Sequence, residues 1–154
     1  MKITKNNKRV KYFLFFTFIF LYTTVLDASF TRDGSILKDS ETGLNWQDNN
    51  DSNSTQYTWQ EAIDFCENLN LNEFEDWRLP NINEFKSIID RSRIKPSIVN
   101  NFEYTGNIDS FTYWSSTTYN NQKDYAWFVH FDYGYINGVT KTNNYYIRCV
   151  RGGE

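Results

Sequence analysis

The sequence predicts an α+β domain with two early helices followed by a small antiparallel sheet. Helix-start signals stand at Thr58 and Asn81, and from Phe111 onward the pattern changes to short aromatic strands separated by polar turns. Strands that follow helices, rather than alternating with them, are typical of the α+β class. The only two cysteines, Cys66 and Cys149, both lie in this domain and predict one disulfide.

The first 28 residues are typical of a secretory leader. Five basic residues in the first 11 positions precede an uncharged, Phe-rich run from Tyr12 to Leu26, and Ala28 supplies a small residue for cleavage. The run is shorter than the roughly 20 residues that a membrane-spanning helix needs. We therefore predict a signal peptide over 1–28 and a single domain over 29–154 that is secreted, periplasmic or at the cell surface. An uncleaved membrane anchor is the alternative.

The charge of the exported part argues against nucleic acid as a partner. The whole chain has 16 Lys+Arg and 19 Asp+Glu, of which the leader holds five bases and one acid, so the net charge of the rest is −7. A negative domain does not attract nucleic acids or other polyanions over its whole surface. Arg91, Arg93 and Lys95 form the one dense basic cluster, for which a solvated loop is the expected structure.

In an oxidising compartment, two cysteines are more typical of a disulfide than of a metal site or a catalytic nucleophile. Closing the long loop between Cys66 and Cys149 should stabilise the domain by about 4.5 kcal/mol. The alternative is a cytosolic protein with two reduced thiols, which would require the leader to be something else.

The first predicted element of the domain is a hairpin. Strands over Ser35 to Lys38 and Leu44 to Gln47 flank a turn from Asp39 to Gly43. The next segment, Asp48 to Thr55, is rich in Asn and Ser and is predicted to be a loop, because such a composition cannot bury a core.

Two helices follow. Thr58 with Glu61 forms a capping box, Asn81 with Glu84 marks the second start, and Pro96 marks the region where the second helix ends. The two apolar faces consist of Ala62, Phe65, Cys66 and Leu69, and of Ile82, Phe85, Ile88 and Ile89.

The predicted strands are Phe111 to Ser116, Tyr125 to Phe131, Tyr135 to Val139 and Tyr145 to Val150. Both faces of the second of these strands should be at least partly covered, because apolar residues occupy both sets of alternate positions. Cys149 falls in the last strand, so the disulfide would join the first helix to the last strand.

Six short motifs then occur in a fixed order: Thr42 to Trp46; Trp59, Ala62 and Cys66; Asp76 to Asn81 with Glu84; Tyr113 to Thr117; Ala126-Trp127; and Arg148 to Arg151. This series, over 34–151, resembles the Lcl C-terminal domain, a bacterial domain family of unknown function. The resemblance implies a C-type-lectin-like fold, in which a disulfide between the first helix and the last strand is usual.

The family's namesake is the C-terminal domain of a collagen-like surface adhesin associated with sulfated polysaccharides. This chain departs from it in having no Gly-X-Y stalk and a negative exported part. It also lacks the Glu-Pro-Asn, Gln-Pro-Asp and Trp-Asn-Asp motifs by which C-type lectins coordinate sugars through calcium. The resemblance therefore does not imply calcium-dependent sugar binding for this chain.

Most of the polar and aromatic residues in these motifs are predicted to be structural. Arg78 should pair with a carboxylate and Asn81 should cap a helix. The remaining residues predicted to be structural are Trp46, Trp77, Pro80, Trp114, Trp127 and Arg148. At most one of the five tryptophans is expected to be exposed.

We expect the ligand-binding residues to lie in the polar, Tyr-bearing segments after the helices, because loops on a rigid scaffold commonly contain the residues that bind ligands. The candidates are Tyr119, Asn120, Asn121, Asp124, Tyr135 and Asn143. For each tyrosine the structural alternative is that it covers a small sheet.

The sequence predicts no metal, no cofactor and no enzyme. Asp48 to Asn53 has a calcium-like composition but lacks the EF-hand glycine and its final Glu, so only a looser calcium site stays open as an alternative. His130 is the single histidine and both thiols are committed, which argues against a zinc site or a Cys/His nucleophile.

We therefore expect an exported, calcium-independent binding module for a surface glycan or protein. The alternative is a structural or protein-interaction domain of the bacterial envelope. The sequence does not predict the oligomeric state.

Overall fold

The computed structural model describes residues 30–105 and 112–152. The predicted leader, Ser29 and Phe111 lie outside these residues. The described elements are, in order, β1 (Phe30–Asp33), β2 (Ile36–Asp39), β3 (Leu44–Gln47), α1 (Asp51–Ser54), α2 (Trp59–Glu67), α3 (Ile82–Ser87), β4 (Thr112–Thr118), β5 (Tyr125–His130), β6 (Tyr135–Thr140) and β7 (Val150–Gly152). The α+β class is confirmed.

The strands form two antiparallel sheets, so the prediction of one small sheet is wrong. The first sheet has the strand order β1-β2-β3-β7, and the second has the order β4-β5-β6. β1 was not predicted; it pairs with β2 from Phe30 opposite Asp39 to Asp33 opposite Ile36. β7 pairs with β3, which places the C-terminal strand beside an N-terminal one.

The turn between β2 and β3 is stabilised by hydrogen bonds to the side chain of Asp39. Its Oδ1 accepts from the Glu41 backbone N–H at 2.9 Å, and its Oδ2 accepts from Thr42 Oγ1 at 2.6 Å. Gly43 ends the turn with φ of 72°, a left-handed conformation that favours glycine. The predicted hairpin is confirmed.

Both predicted helices are present with their caps. α2 begins with the Thr58–Glu61 capping box. At the start of α3, Asn81 Oδ1 accepts from the Asn83 and Glu84 backbone N–H groups at 2.9 and 3.0 Å, and Glu84 Oε2 accepts from the Asn81 N–H at 2.7 Å. Among the described residues there is also a third, one-turn helix, α1, inside the segment predicted to be a loop.

The prediction of a continuous strand from Tyr145 to Val150 is wrong. Tyr145 forms an isolated bridge with Tyr57, Tyr146 forms one with Tyr113 of β4, and Val150 pairs with Trp46 of β3. The segment crosses from one sheet to the other, so no single neighbour can pair with all of it. Cys149 consequently lies one residue before β7.

Two buried clusters make up the core. One surrounds Trp46, Phe85 and Tyr113, and the other surrounds Trp114 and the Cys66–Cys149 disulfide. The disulfide is formed as predicted, with the two Cα atoms 5.5 Å apart. β5 contributes to both clusters, through Val129 to the first and through Ala126 and Phe128 to the second, so both of its faces are covered.

Candidate functional site

The β4–β5 loop and the turn after β6 meet at one end of the second sheet. Because β5 and β6 pair along their whole length, the segment before β5 and the segment after β6 emerge side by side. The Lys141 backbone N–H donates to the Asp124 carbonyl at 2.8 Å, and Lys141 Nζ donates to Thr118 Oγ1 at 3.2 Å. We name residues 118–124 and 140–144 together the distal end.

The ring of Tyr119 is fixed on the sheet by a glycine. A Cβ atom on Gly138 of β6 would lie 2.1 Å from Tyr119 Cδ2, so the ring occupies space that any other residue would fill. The ring centre of Tyr119 also lies 4.5 Å from that of Trp127, at an interplanar angle of 59°. Its backbone N–H donates to the Tyr125 carbonyl at 2.9 Å. Tyr119 is therefore a half-buried aromatic side chain with a defined position.

Exposed polar residues follow Tyr119 in the same loop and occupy the neighbouring turn. Asn120 adopts φ of 46°, a left-handed conformation that asparagine tolerates better than most residues, and the turn closes with the Gln122 N–H donating to the Tyr119 carbonyl at 3.0 Å. The exposed polar candidates at the distal end are Asn120, Asn121, Asp124 and Asn143. Five of the six predicted ligand-binding residues thus share one end of the sheet.

A Trp–Lys contact at the distal end was not found by sequence reasoning. Lys141 Nζ lies 3.7 Å from the ring centre of Trp59, a cation–π geometry. Trp59 is oriented by two hydrogen bonds, from its Nε1 to the Ser115 carbonyl at 2.8 Å and from its backbone N–H to the Lys141 carbonyl at 3.1 Å. The two residues are far apart in the chain, so no local pattern indicated their contact.

Tyr135, the sixth candidate, lies at the opposite end of β5 and β6. It pairs with His130 in the ladder, and the two rings stack at 4.8 Å and 15°. Burial, reinforced by the neighbouring Tyr145 and Asp132, raises the pKa of the Tyr135 hydroxyl. Along a six-residue strand this end is separated from the distal end by about 17 Å. The structure therefore does not bring Tyr135 into the same site.

The residues predicted to be structural lie in or beside the core. Trp46, Trp77 and Trp114 are buried, while Trp59 and Trp127 are half-buried. The Arg78 guanidinium pairs with the Glu84 carboxylate through two bonds of 2.9 and 2.7 Å. Pro80 is buried, and its carbonyl accepts from the Ser116 backbone N–H at 2.8 Å.

A buried ion pair joins Asp48 to Arg148, which sequence reasoning also missed. Arg148 Nη1 lies 2.8 Å from Asp48 Oδ1, and both side chains have zero exposure. Arg148 Nη1 also donates to the Gln47 carbonyl at 2.7 Å, and Nη2 donates to the Tyr104 carbonyl. At the outer side, Arg32 Nη2 lies 2.5 Å from Asp48 Oδ2.

Arg148 and Arg32 together bind both oxygens of the Asp48 carboxylate. The backbone N–H groups of Glu103 and Tyr104 complete the set at 2.9 and 3.0 Å. Burial alone would raise the pKa of Asp48, but the attraction of Arg148 and the hydrogen bonds together lower it. A carboxylate held in this way is not free to ligate calcium, which argues against the looser calcium site that began at this residue.

A shallow groove of about 410 Å³ lies between α3 and the start of β3. The residues that line it are Thr42, Leu44, Asn81, Ile82, Asn83, Glu84, Ser87 and Thr117. Its one carboxylate, Glu84, is already bonded to Arg78 and to the Asn81 N–H. Apart from Glu84, the groove offers uncharged polar and apolar groups.

Within residues 30–105 and 112–152, no three His, Cys, Asp or Glu side chains cluster closely enough to hold a metal ion. In the same part of the chain, none of the helices has the length and apolar character needed to cross a bilayer.

A family model described as the Lcl C-terminal domain matches residues 35–151, which is more than half of the chain. No curated protein matches the sequence.

Proposed function

The chain belongs to the Lcl C-terminal domain family, and from this premise we propose that it is an exported module that binds a surface glycan or protein through its distal end. We include in the proposal a C-type-lectin-like fold. Its support is the disulfide from α2 to the residue before β7, which is the usual tether of that superfamily. Export is supported by the same disulfide and by the leader-like first 28 residues.

The observation that carries the proposal is the seating of Tyr119. Its ring lies over Gly138 and beside Trp127, so the part of the side chain that stays exposed is already ordered before a ligand binds. A pre-organised group binds more tightly because less conformational entropy is lost on association. The apolar face of a pyranose ring is a suitable partner for such an aromatic face.

The polar groups around Tyr119 suit a ligand with many hydroxyl groups. Asn120, Asn121 and Asn143 offer both donors and acceptors, and Asp124 offers an acceptor. Lys141 is held against Trp59 and Thr118, so a fixed positive charge lies beside them. An aromatic surface with a few placed polar groups is the general pattern of small-ligand sites. No metal and no catalytic step enter the proposal.

A glycan array with the purified protein, followed by titration of the best ligand, tests this proposal. Tyr119→Ala should weaken binding about tenfold, as expected for an aromatic anchor, while Tyr119→Phe should retain binding. Tyr135→Ala is the matched control, because it removes the same side chain from the opposite end. Melting temperatures of all three variants separate lost binding from lost folding. Equal losses from Tyr119→Ala and Tyr135→Ala would contradict a site at the distal end.

A second candidate function is protein interaction within the bacterial envelope. It is favoured by β6, which lies at the edge of its sheet and carries Tyr135 with 45% of its surface exposed. An exposed edge strand is a common pairing site. Size-exclusion chromatography across a concentration series would detect such self-association, and Tyr135→Ala should then reduce it.

A further inference from the structure

A basic and apolar projection lies near the β5–β6 turn, at the other end of the sheet from the distal end. It contains Arg91, Arg93 and Lys95, and between the last two stands Ile94 with 71% of its surface exposed. Tyr133 of the β5–β6 turn is 58% exposed, and Lys95 Nζ lies 5.8 Å from the centre of its ring. We name these five residues the basic tip.

The basic tip is held in place by buried hydrogen bonds. The Lys95 backbone N–H donates to the Asp132 carbonyl at 2.8 Å, which joins the two turns of the tip. Ser97 is buried, and its hydroxyl donates to the Arg93 carbonyl at 2.6 Å and contacts the Asp132 carbonyl at 3.1 Å. The exposure of Ile94 therefore results from a structure anchored on both sides.

The charge of the basic tip is opposite to that of the exported chain. Its three bases stand near two carboxylates, the exposed side of Asp90 and the buried Asp132, in a domain whose net charge is −7. Asp90 itself accepts bonds from the Ser92 N–H and hydroxyl at 2.9 and 2.6 Å. Among the ion pairs of the described residues, none uses a base of the tip. Asp90 attracts Arg93 without forming an ion pair with it, so all three bases can still contact an anionic partner.

We propose that the basic tip docks the domain on an anionic phospholipid surface, with the three bases over the phosphates and with Ile94 and Tyr133 among the headgroups. A soluble polyanion would be attracted by the bases but would gain nothing from an isoleucine fixed between them. An anionic lipid surface would interact favourably with both the bases and the isoleucine, because it attracts basic groups electrostatically and removes apolar side chains from water. Tyrosine also favours such an interface, where its ring is apolar and its hydroxyl stays hydrated.

The position of the basic tip makes this inference independent of the proposed ligand site. Tyr133 follows β5 and Tyr119 precedes it, so the two surfaces lie at opposite ends of a strand about 17 Å long. A domain docked through Ile94 would therefore keep the distal end away from the bilayer, free to meet a ligand.

Trypsin cleavage of the full chain in the presence of vesicles tests the inference. Trypsin can cut after Arg91 and Arg93 in the tip and after Lys123 in the distal end, and the Lys123 bond serves as the internal control. Vesicles of about half phosphatidylglycerol and half phosphatidylcholine should slow cleavage in the tip at least fivefold relative to Lys123, as expected for a base held at the surface. Vesicles of phosphatidylcholine alone should not. Any attachment by residues 1–29 affects both bonds of the same molecule.

Two variants separate the apolar and the charged contributions. Ile94→Ser should reduce the protection from at least fivefold to less than twofold, since the burial of the isoleucine among the headgroups is lost. Arg93→Glu should reduce the protection of the Arg91 bond by anionic vesicles to less than twofold, whereas Lys123→Glu, with the same change in net charge, should leave it at least fivefold. Melting temperatures would verify that each variant is folded.

Three outcomes would overturn the inference. The first is equal protection by the anionic and the neutral vesicles. The second is equal loss of protection of the Arg91 bond in Arg93→Glu and Lys123→Glu, which would indicate an effect of net charge alone. The third is protection of the tip by dextran sulfate that matches the vesicles and does not depend on Ile94, which would assign the tip to soluble polyanions.

Discussion

Arg148 Nη1 donates a 2.8 Å hydrogen bond to Asp48 Oδ1, and neither side chain is exposed to solvent. Asp48 directly follows β3, and Arg148 precedes the disulfide and β7. Through Glu103 and Tyr104, the same carboxylate also binds the segment before β4. One buried ion pair thus fixes three distant parts of the chain around the first core cluster, from which the second sheet extends toward the distal end.

Asp48→Asn should reduce the free energy of unfolding by about 3–5 kcal/mol. The substitution removes the negative charge but leaves the buried Arg148 guanidinium without its counter-ion, and an unpaired buried charge is strongly unfavourable. Urea denaturation measures the loss. Asp76→Asn is the matched control, because it breaks the exposed pair with Arg151 and should change stability by about 1 kcal/mol or less.

The stability advantage of the wild type over Asp48→Asn should disappear in acid. The folded protein lowers the pKa of Asp48, so this group contributes its full stability above the pKa of the unfolded chain, near pH 4. The contribution falls as the pH drops through the lower pKa of the folded state. Urea unfolding of both proteins between pH 7 and pH 2 would show the two curves converging below pH 4; a constant difference would contradict this assignment.

Removal of the disulfide should destabilise the domain by about 4.5 kcal/mol. Cys66 and Cys149 are 83 residues apart, and a cross-link over such a loop restricts the unfolded chain by roughly that amount. The measurement compares the wild type with the double variant Cys66→Ala, Cys149→Ala in guanidinium. Addition of a reductant serves as the control, since it should weaken the wild type and leave the double variant unchanged.

Gly138→Ala should displace Tyr119 and destabilise the protein by about 1–3 kcal/mol. The new methyl group would stand 2.1 Å from the tyrosine ring, so the ring must leave its place against Trp127. Ligand affinity at the distal end should fall together with stability. In the double variant Gly138→Ala, Tyr119→Ala the steric conflict is absent, so the two losses should not add; simple additivity would indicate that the two residues are not coupled.

Local signals in the sequence were sufficient for the caps, the hairpin and the disulfide. Thr58 with Glu61, Asn81 with Glu84, and Gly43 each act on groups within a few residues, so their chemistry can be inferred from neighbours alone. The pairing of Cys66 with Cys149 required no geometry, because no other cysteine was available. The family resemblance identified from six ordered motifs agrees with the family model that matches residues 35–151.

Pairings between distant residues could not be inferred in this way. Asp48 lay in a segment whose composition predicted an exposed loop, yet Arg148 and Arg32 make it a buried anchor. The segment after Tyr145 has the composition of a strand, but its residues pair in turn with Tyr57, β4 and β3. The composition of a segment indicates how much of it can be buried. Which residues pack against it depends on the whole fold.

The sequence by itself determined the elements of this protein that depend on near neighbours: its α+β class, two capped helices, one hairpin and a single disulfide. Only the tertiary structure decided that Tyr119 rests on Gly138, that Tyr135 lies at the far end of the same sheet, and that Ile94 projects from a basic tip. The reason is that strand register and sheet order set which side chains meet, and both follow from packing the whole chain at once.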